Sequence, residues 1–356
     1  MKRKKKQSKN RTFLYIFLSV LLVLAIYGGI RGFVYYANMW KSNISVNPDK
    51  KEFLLIYEND EFDDVLKKLE ASGSVKNMKS FIKAAEKIGY PNHIVSGRYE
   101  LIDGMGNMEL LHRLLNGRQT PTRVTFNNIR TKEALAQKIS NQLQMDSTAI
   151  IHILNDREIL SGYGLTPATA VCLFIPNTYE IYWNISPENL LKRMKKEYDN
   201  FWTEDRLQKL NDVGLDQLEV FTLASIVEEE TKKKDEKPVV AGLYLNRIHK
   251  KIPLQADPTI RFALQDFSLK RIYGDHLTIN SPYNTYKYAG LPPGPIRLPS
   301  IESIDAVLNY QDHNYYYMCA KEDFSGYHNF ATTFQEHIQN GIKYRRELNR
   351  RGITIN

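Results

Sequence analysis

Cysteine is almost absent from this chain: 356 residues contain two, Cys172 and Cys319, far apart in sequence. An oxidising compartment would permit a bond between them, but one pair cannot establish a framework, and two buried thiols are the expectation. No HExxH or CxxC pattern accompanies His328 and His337, so no metal is expected and both histidines read as structural hydrogen-bonding residues. Acidic residues are missing from positions 1–11 (MKRKKKQSKNR), which hold seven Lys or Arg. With that tail set aside, the net charge of +9 falls to 42 basic against 40 acidic side chains. The basicity is a property of the tail, and a nucleic-acid partner is not expected.

Charge is also missing from Thr12–Ile30 (TFLYIFLSVLLVLAIYGGI), nineteen residues that match the roughly 20 needed to cross about 30 Å of hydrocarbon. A cleaved signal peptide has a shorter apolar core, roughly 7–15 residues, and a small-residue cleavage site. Here Tyr35, Tyr36, Met39 and Trp40 follow instead, and Tyr and Trp favour the lipid–water boundary. The expectation is an uncleaved transmembrane helix over 12–34, with the basic tail 1–11 cytoplasmic and everything beyond about residue 40 outside. No cysteine follows the run to carry a lipid.

The full chain, with 42% hydrophobic and 25% charged residues, has a globular composition. Residues 35–51 read as a linker. Phe53–Tyr57 reads as a strand, Asp60–Leu69 and Met78–Ile88 as helices, and Gly97–Leu101 as a returning strand. The order recurs in Val124–Phe126, Lys132–Leu143 and Thr148–Leu154; one offset of seventy aligns Val65 with Leu135, Leu69 with Ile139 and Phe81 with Ile151. Strand–helix–helix–strand units of this size resemble LysM modules, which bind N-acetylglucosamine-containing glycans, so 52–165 is expected to be a LysM-like α/β region; a small α/β spacer would read the same way. From 166 to 349 the pattern changes. Helices are expected at Pro187–Trp202, Asp216–Glu230 and from Pro238 on, then a hairpin of Tyr315–Ala320 and Tyr327–Ala331, and a last helix capped by Thr333 and Glu336. The fold class expected is α+β.

The chemistry concentrates in Leu223–Thr231 (LASIVEEET), where three acids close an apolar helix at the end its dipole disfavours. At 100° per residue, Val220, Leu223, Ala224 and Val227 form the apolar stripe. Glu229 points away from it into solvent, while Glu228 and Glu230 flank it. Periodicity nominates two glutamates and does not choose between them. For Glu228, beside Phe221 and Ala224, lost solvation is expected to raise the pKa, as a general acid requires.

SIVEEET is followed in order by Leu243–Arg247 (LYLNR), Pro253–Thr259 (PLQADPT), Ser281–Tyr286 (SPYNTY), Gly290–Ile296 (GLPPGPI) and His328–Phe330 (HNF). This ordered set resembles the membrane-bound endolytic murein transglycosylases, the YceG-like or MltG family, densely over about 174–348. The resemblance implies that Glu228 is the catalytic acid and Glu230 a supporting one, with no cofactor. It implies a substrate of peptidoglycan glycan strands, an anchor in the inner membrane with a periplasmic catalytic domain, and proximity to cell-wall synthases. One carboxyl suffices: it protonates the oxygen leaving N-acetylmuramic acid, then takes the proton of that sugar's 6-hydroxyl as it attacks C1 to give a 1,6-anhydro end. A hydrolase needs a second carboxylate, for which Asp257 is the leading candidate, but an Asp before Pro is also a common turn element and Asp257 is expected to be structural or substrate-orienting. Among the remaining motif residues, Asn246, Gln255, Thr259, Asn284 and Thr285 are expected to bond sugar hydroxyl and acetamido groups. Tyr283 and Tyr286 are expected to face pyranose rings. Pro293 and Gly294 are expected to form a stiff cleft wall on which a ligand can approach the backbone. A non-catalytic wall-binding scaffold and a lysozyme-like hydrolase are the alternatives.

Overall fold

In the computed structural model, which describes residues 2–269 and 271–353, the chain opens with one long helix, α1 (Lys2–Met39). Its segment Arg11–Met39 contains an 18-residue window of mean hydropathy 2.5, none of it buried, the length and composition of a membrane span. The expected span 12–34 lies within it. The chain then forms two compact units, Met1–Thr122 with Tyr182–Asn184, and Arg123–Ile181 with Ile185–Asn356.

In the first unit β1 (Glu52–Ile56) pairs antiparallel with β2 (Gly97–Leu101), from Glu52 opposite Leu101 to Ile56 opposite Gly97. Between them run α2 (Phe62–Ser72) and α3 (Met78–Lys87), and α4 (Asn107–Leu115) follows. Apolar spacing sets the packing: Val65 and Leu69 of α2, Phe81 and Ala84 of α3, and Leu110 and Leu114 of α4 are buried in one core. The stretch expected as a linker is partly built into this unit. Met39 and Ile44 enter the core, and buried Asn43 donates to Asn107 Oδ1 at 2.7 Å and accepts from the Asn77 amide at 2.8 Å.

The second unit begins with a similar order of elements, with one more helix before the returning strand. β3 (Thr122–Phe126) is followed by α5 (Lys132–Ser140), α6 (Ser147–Asn155) and α7 (Arg157–Ser161), and pairs with β4 (Asn177–Ile181). Leu54 and Ile56 of β1 have buried counterparts in Val124 and Phe126, and Val65 and Leu69 in Leu135 and Ile139. Each returning strand carries a buried tyrosine whose hydroxyl donates to the carbonyl four residues earlier: Tyr99 to Val95 at 3.0 Å, Tyr179 to Ile175 at 2.7 Å. The offset of seventy slips in α6, where Ile150 and Leu154 are fully buried and Ile151 only partly. The core of this unit runs from Val124 to Leu308, so the stretch expected as one region, 52–165, contributes to both cores.

Onward come α8 (Pro187–Phe201), α9 (Glu204–Val213), α10 (Gln217–Glu230), α11 (Lys237–His249), α12 (Asp257–Leu264) and α13 (Ile301–Leu308). An antiparallel hairpin, β5 (Tyr317–Ala320) with β6 (His328–Ala331), precedes α14 (Phe334–Arg350), which Thr333 and Glu336 start with a capping box. Both thiols are free, Cys172 buried and Cys319 half-buried. α10 is the central helix. Every residue from Val220 to Val227 is buried, with α11 and α13 packed against it. A helix apolar on all faces belongs inside a core, not at its edge. The expected amphipathic stripe, with Glu229 turned to solvent, is therefore corrected.

Candidate active site

The three acids that end α10 each meet a different environment. Glu229 is enclosed, its side chain 13% exposed: Arg297 binds Oε1, and Arg130 binds Oε2 at 3.1 Å. Arg297 also reaches Asn128 Oδ1 at 2.5 Å, so this acid ties the end of α10 to the loop after β3.

Glu228 is gripped through one oxygen. Its Oε2 accepts from Ser300 Oγ at 2.5 Å, from Ser303 Oγ and from Lys237 Nζ at 3.2 Å, and Lys237 also meets Glu302 at 2.9 Å. Burial pushes the Glu228 pKa up, but the two serine hydroxyls and the lysine charge outweigh it, and the carboxyl sits below the ordinary glutamate range. The expected rise at Glu228 is thus corrected. Burial is the largest single influence, but the donors brought by α13 and α11 together outweigh it and hold the charged form.

Glu230 is the acid with the raised pKa. Burial, opposed only in part by the hydroxyl that Tyr244 donates to Oε1 at 2.7 Å, moves it up to about 7. It lines a cavity of about 380 Å³, within the range of ligand sites. Leu243, Tyr244 and Arg247 of α11 line it, with Gln255 and Asp257 at the start of α12, Tyr286, and residues of the hairpin and α14 that include His328 and His337. Glu230 also lies on the wall of a second cavity of about 530 Å³, bounded by Arg130, Glu228, Lys233 and Arg297. A carboxyl that shares its proton near pH 7, between two open spaces, can give that proton to a ligand and take one back.

Gln255, Asp257 and Tyr286 line this cavity, and the Tyr286 hydroxyl donates to Asp257 Oδ1 at 2.5 Å. Other motif residues are committed elsewhere. Asn246 donates to the carbonyls of His313 at 2.7 Å and Tyr315 at 3.1 Å. Asn284 donates to those of Leu277 and Ile279, both at 2.9 Å. Thr259 and Thr285 are buried hydroxyl to hydroxyl at 2.8 Å, and Thr285 accepts from the Ala256 amide. Asn246 thus fixes the segment before β5, while Asn284, Thr259 and Thr285 fix the loops that carry Gln255, Asp257 and Tyr286, and the expected contact of these four side chains with sugars is corrected. Tyr283 packs on Phe262, ring centroids 4.7 Å apart, at a separate cavity of about 330 Å³.

Gly294 does permit a close approach, but by the chain itself: an added Cβ would lie 2.2 Å from the Ala168 carbonyl oxygen. Pro293 beside it is exposed. Gly294→Ala is therefore expected to destabilise the protein by about 2 kcal/mol through overpacking, read as a lowered midpoint in thermal melting.

His328 is held by buried Glu236, which accepts from its amide at 2.6 Å and its Nδ1 at 3.0 Å. His337 stacks on Tyr317 at 5.5 Å, and burial lowers its pKa. Tyr244, Arg247 and Tyr317 belong to the cavity although the sequence did not nominate them. Tyr244 and Arg247 lie within LYLNR, two residues before and one residue after the Asn246 that drew attention.

Sequence and structure comparisons bear on this arrangement. An endolytic murein transglycosylase of Bacillus subtilis is 29% identical over 300 residues, covering 79% of this chain and 80% of its own. One of Streptococcus pneumoniae serotype 2 is 27% identical over 94% of this chain, which spans 65% of that relative's length. A crystal structure of a YceG-like protein from Listeria monocytogenes shares the fold, with a TM-score of 0.54 at 24% identity over 82% of this chain and 99% of that one. The family model described as YceG-like matches residues 54–343, from the first strand through most of α14, and the chain belongs to the YceG-like family.

Proposed function

We propose that this chain is an endolytic lytic transglycosylase of peptidoglycan, with Glu230 as its acid and base. The observation that carries the reading is the Glu230 carboxyl: raised to about 7, on a cavity wall, with a tyrosine hydroxyl that donates to it and steadies its charge when the proton leaves. Protonated Glu230 gives its proton to the oxygen linking C1 of N-acetylmuramic acid to N-acetylglucosamine, and the C1–O bond breaks. The 6-hydroxyl of the muramoyl residue then bonds to C1 while its proton passes to the carboxylate. The acid is regenerated and a 1,6-anhydro end is left. Glu228, pinned as an anion beside Lys237, cannot hold the required proton at neutral pH and serves to position the end of α10. The two cavities that meet at Glu230 suit a strand that continues on both sides of the cleaved bond.

The homologues' shared name, endolytic murein transglycosylase, supports the reaction class. α1 fits a single-pass anchor, and its basic start favours a cytoplasmic N-terminus with both folded units across the inner membrane, in the periplasm, where nascent strands and cell-wall synthases lie. The order of strands and helices in 52–101 suits a LysM-like glycan-binding module.

Asp257 lines the same cavity and gives the hydrolase reading a second carboxylate. Mass spectrometry of muropeptides released from uncross-linked glycan separates them: 1,6-anhydro ends are expected, reducing ends indicate hydrolysis, and intact glycan indicates a scaffold. Because the acid must be protonated, kcat/KM is expected to fall as pH rises through about 7. Tyr244 favours the charged form of Glu230, so Tyr244→Phe is expected to move this limb to higher pH in a pH–rate profile.

A further inference from the structure

Arg247 is 7% exposed and lines the cavity that holds Glu230. A buried charge is ordinarily matched by an opposite one. Other enclosed cations of this unit obey the rule: Arg297 meets Glu229, and Lys237 meets Glu228 and Glu302. Arg247 forms no ion pair among the described residues. Its Nη2 donates to the neutral amide oxygen of Gln255 at 2.7 Å, and its guanidinium lies 5.5 Å from the Tyr317 ring centroid. Its Nε is buried without a partner. His337 lines the same cavity, and its Nδ1 is also buried and unpartnered. Buried polar atoms without a partner are uncommon in folded proteins and each asks for a physical explanation; these two belong to side chains on the wall of one cavity. Gln255, which holds the guanidinium, sits at φ 54°, a left-handed backbone that residues other than glycine adopt at some cost and that recurs where a site is held in place.

Resting on the reading of this cavity as the site of glycan cleavage, we propose that Arg247 binds a carboxylate of the substrate, with His337 as a second polar contact, and so selects which muramoyl residues are cut. Sugar hydroxyls and acetamido groups carry no charge to match the guanidinium. In peptidoglycan the carboxylates near the cleaved bond belong to the substituent of the muramoyl residue. They are those of the stem peptide, or the lactyl carboxylate where that peptide has been removed. The lactyl carboxylate is held close to C1 by covalent geometry and a stem carboxylate is tethered further out; binding either one holds the muramoyl residue with its glycosidic oxygen toward Glu230.

The test uses the full chain in detergent and three uncross-linked glycans. The first bears stem peptides, the second is stripped to free lactyl carboxylates, and the third is stripped with those carboxylates amidated. Release of anhydro ends gives KM and kcat for each. A charge-assisted contact predicts a KM at least about tenfold higher on the amidated strand than on the better of the two charged strands. A lower KM with peptide assigns the carboxylate to the stem, and a lower KM on the stripped strand assigns it to the lactyl group. Arg247→Gln should erase the ratio, and Arg247→Lys should keep part of it. Equal KM and kcat for wild type on all three, or an unchanged ratio in Arg247→Gln, overturns the proposal; the wild-type ratio needs no variant to fold. No release from any strand overturns the proposed function itself, and this proposal with it.

Discussion

Glu230→Gln is expected to reduce anhydro-end release about 10³-fold in kcat, within the range that a positioned proton donor supplies, while the fold is retained. The amide keeps the shape of the side chain and can still accept from Tyr244, but it has no proton to transfer. Glu228→Gln is expected to stay within about tenfold of wild type, because that carboxyl is already ionised and committed to Ser300, Ser303 and Lys237. The family resemblance, applied to the sequence, assigned these roles the other way round. Kinetics of the two variants on one glycan preparation decide the matter, and a larger loss for Glu228→Gln would return the acid to that position.

The second large effect is on stability. Lys237 is 6% exposed at its side chain and joins the ends of α10 and α13 through Glu228 and Glu302. Lys237→Met fills the same space but strips Glu228 of its cation while two serines still hold it in place. Breaking a buried pair from one side costs about 3 kcal/mol or more, which for a unit of this size lowers the melting midpoint by roughly 6–12 °C. Glu228→Gln/Lys237→Met should recover part of that loss, since no uncompensated anion remains. A calorimetric midpoint within about 2 °C of wild type for Lys237→Met would show the pair to be solvated and without structural weight.

How much of this was legible in the sequence differs from residue to residue. The apolar span, the strand–helix–helix–strand order, the hairpin and the capping box of α14 follow from local spacing and appear where expected. That the end of α10 carries the acids was also legible. Which acid holds a proton was not, because periodicity describes one helix and the answer depends on donors far away in sequence, Ser300 and Ser303 of the α13 start and Lys237 of α11. The same limit applies to Asn246, Asn284, Thr259 and Thr285. Their side chains suit sugars, but they suit backbone carbonyls and each other equally well, and the fold uses them to fix loops. Arg247 shows the converse. A lone arginine in a helix reads as a surface residue until the fold buries it without a counter-charge.

The proton on Glu230 can be observed directly. Glutamate 13Cδ labelling of the full chain in detergent, with Glu230→Gln and Glu228→Gln to assign the signals, gives each carboxyl's titration by NMR. Glu230 is expected to titrate near pH 7 and Glu228 below the ordinary glutamate range. A Glu230 signal already fully ionised at pH 5, or a Glu228 signal that carries the proton at pH 7, would contradict the account.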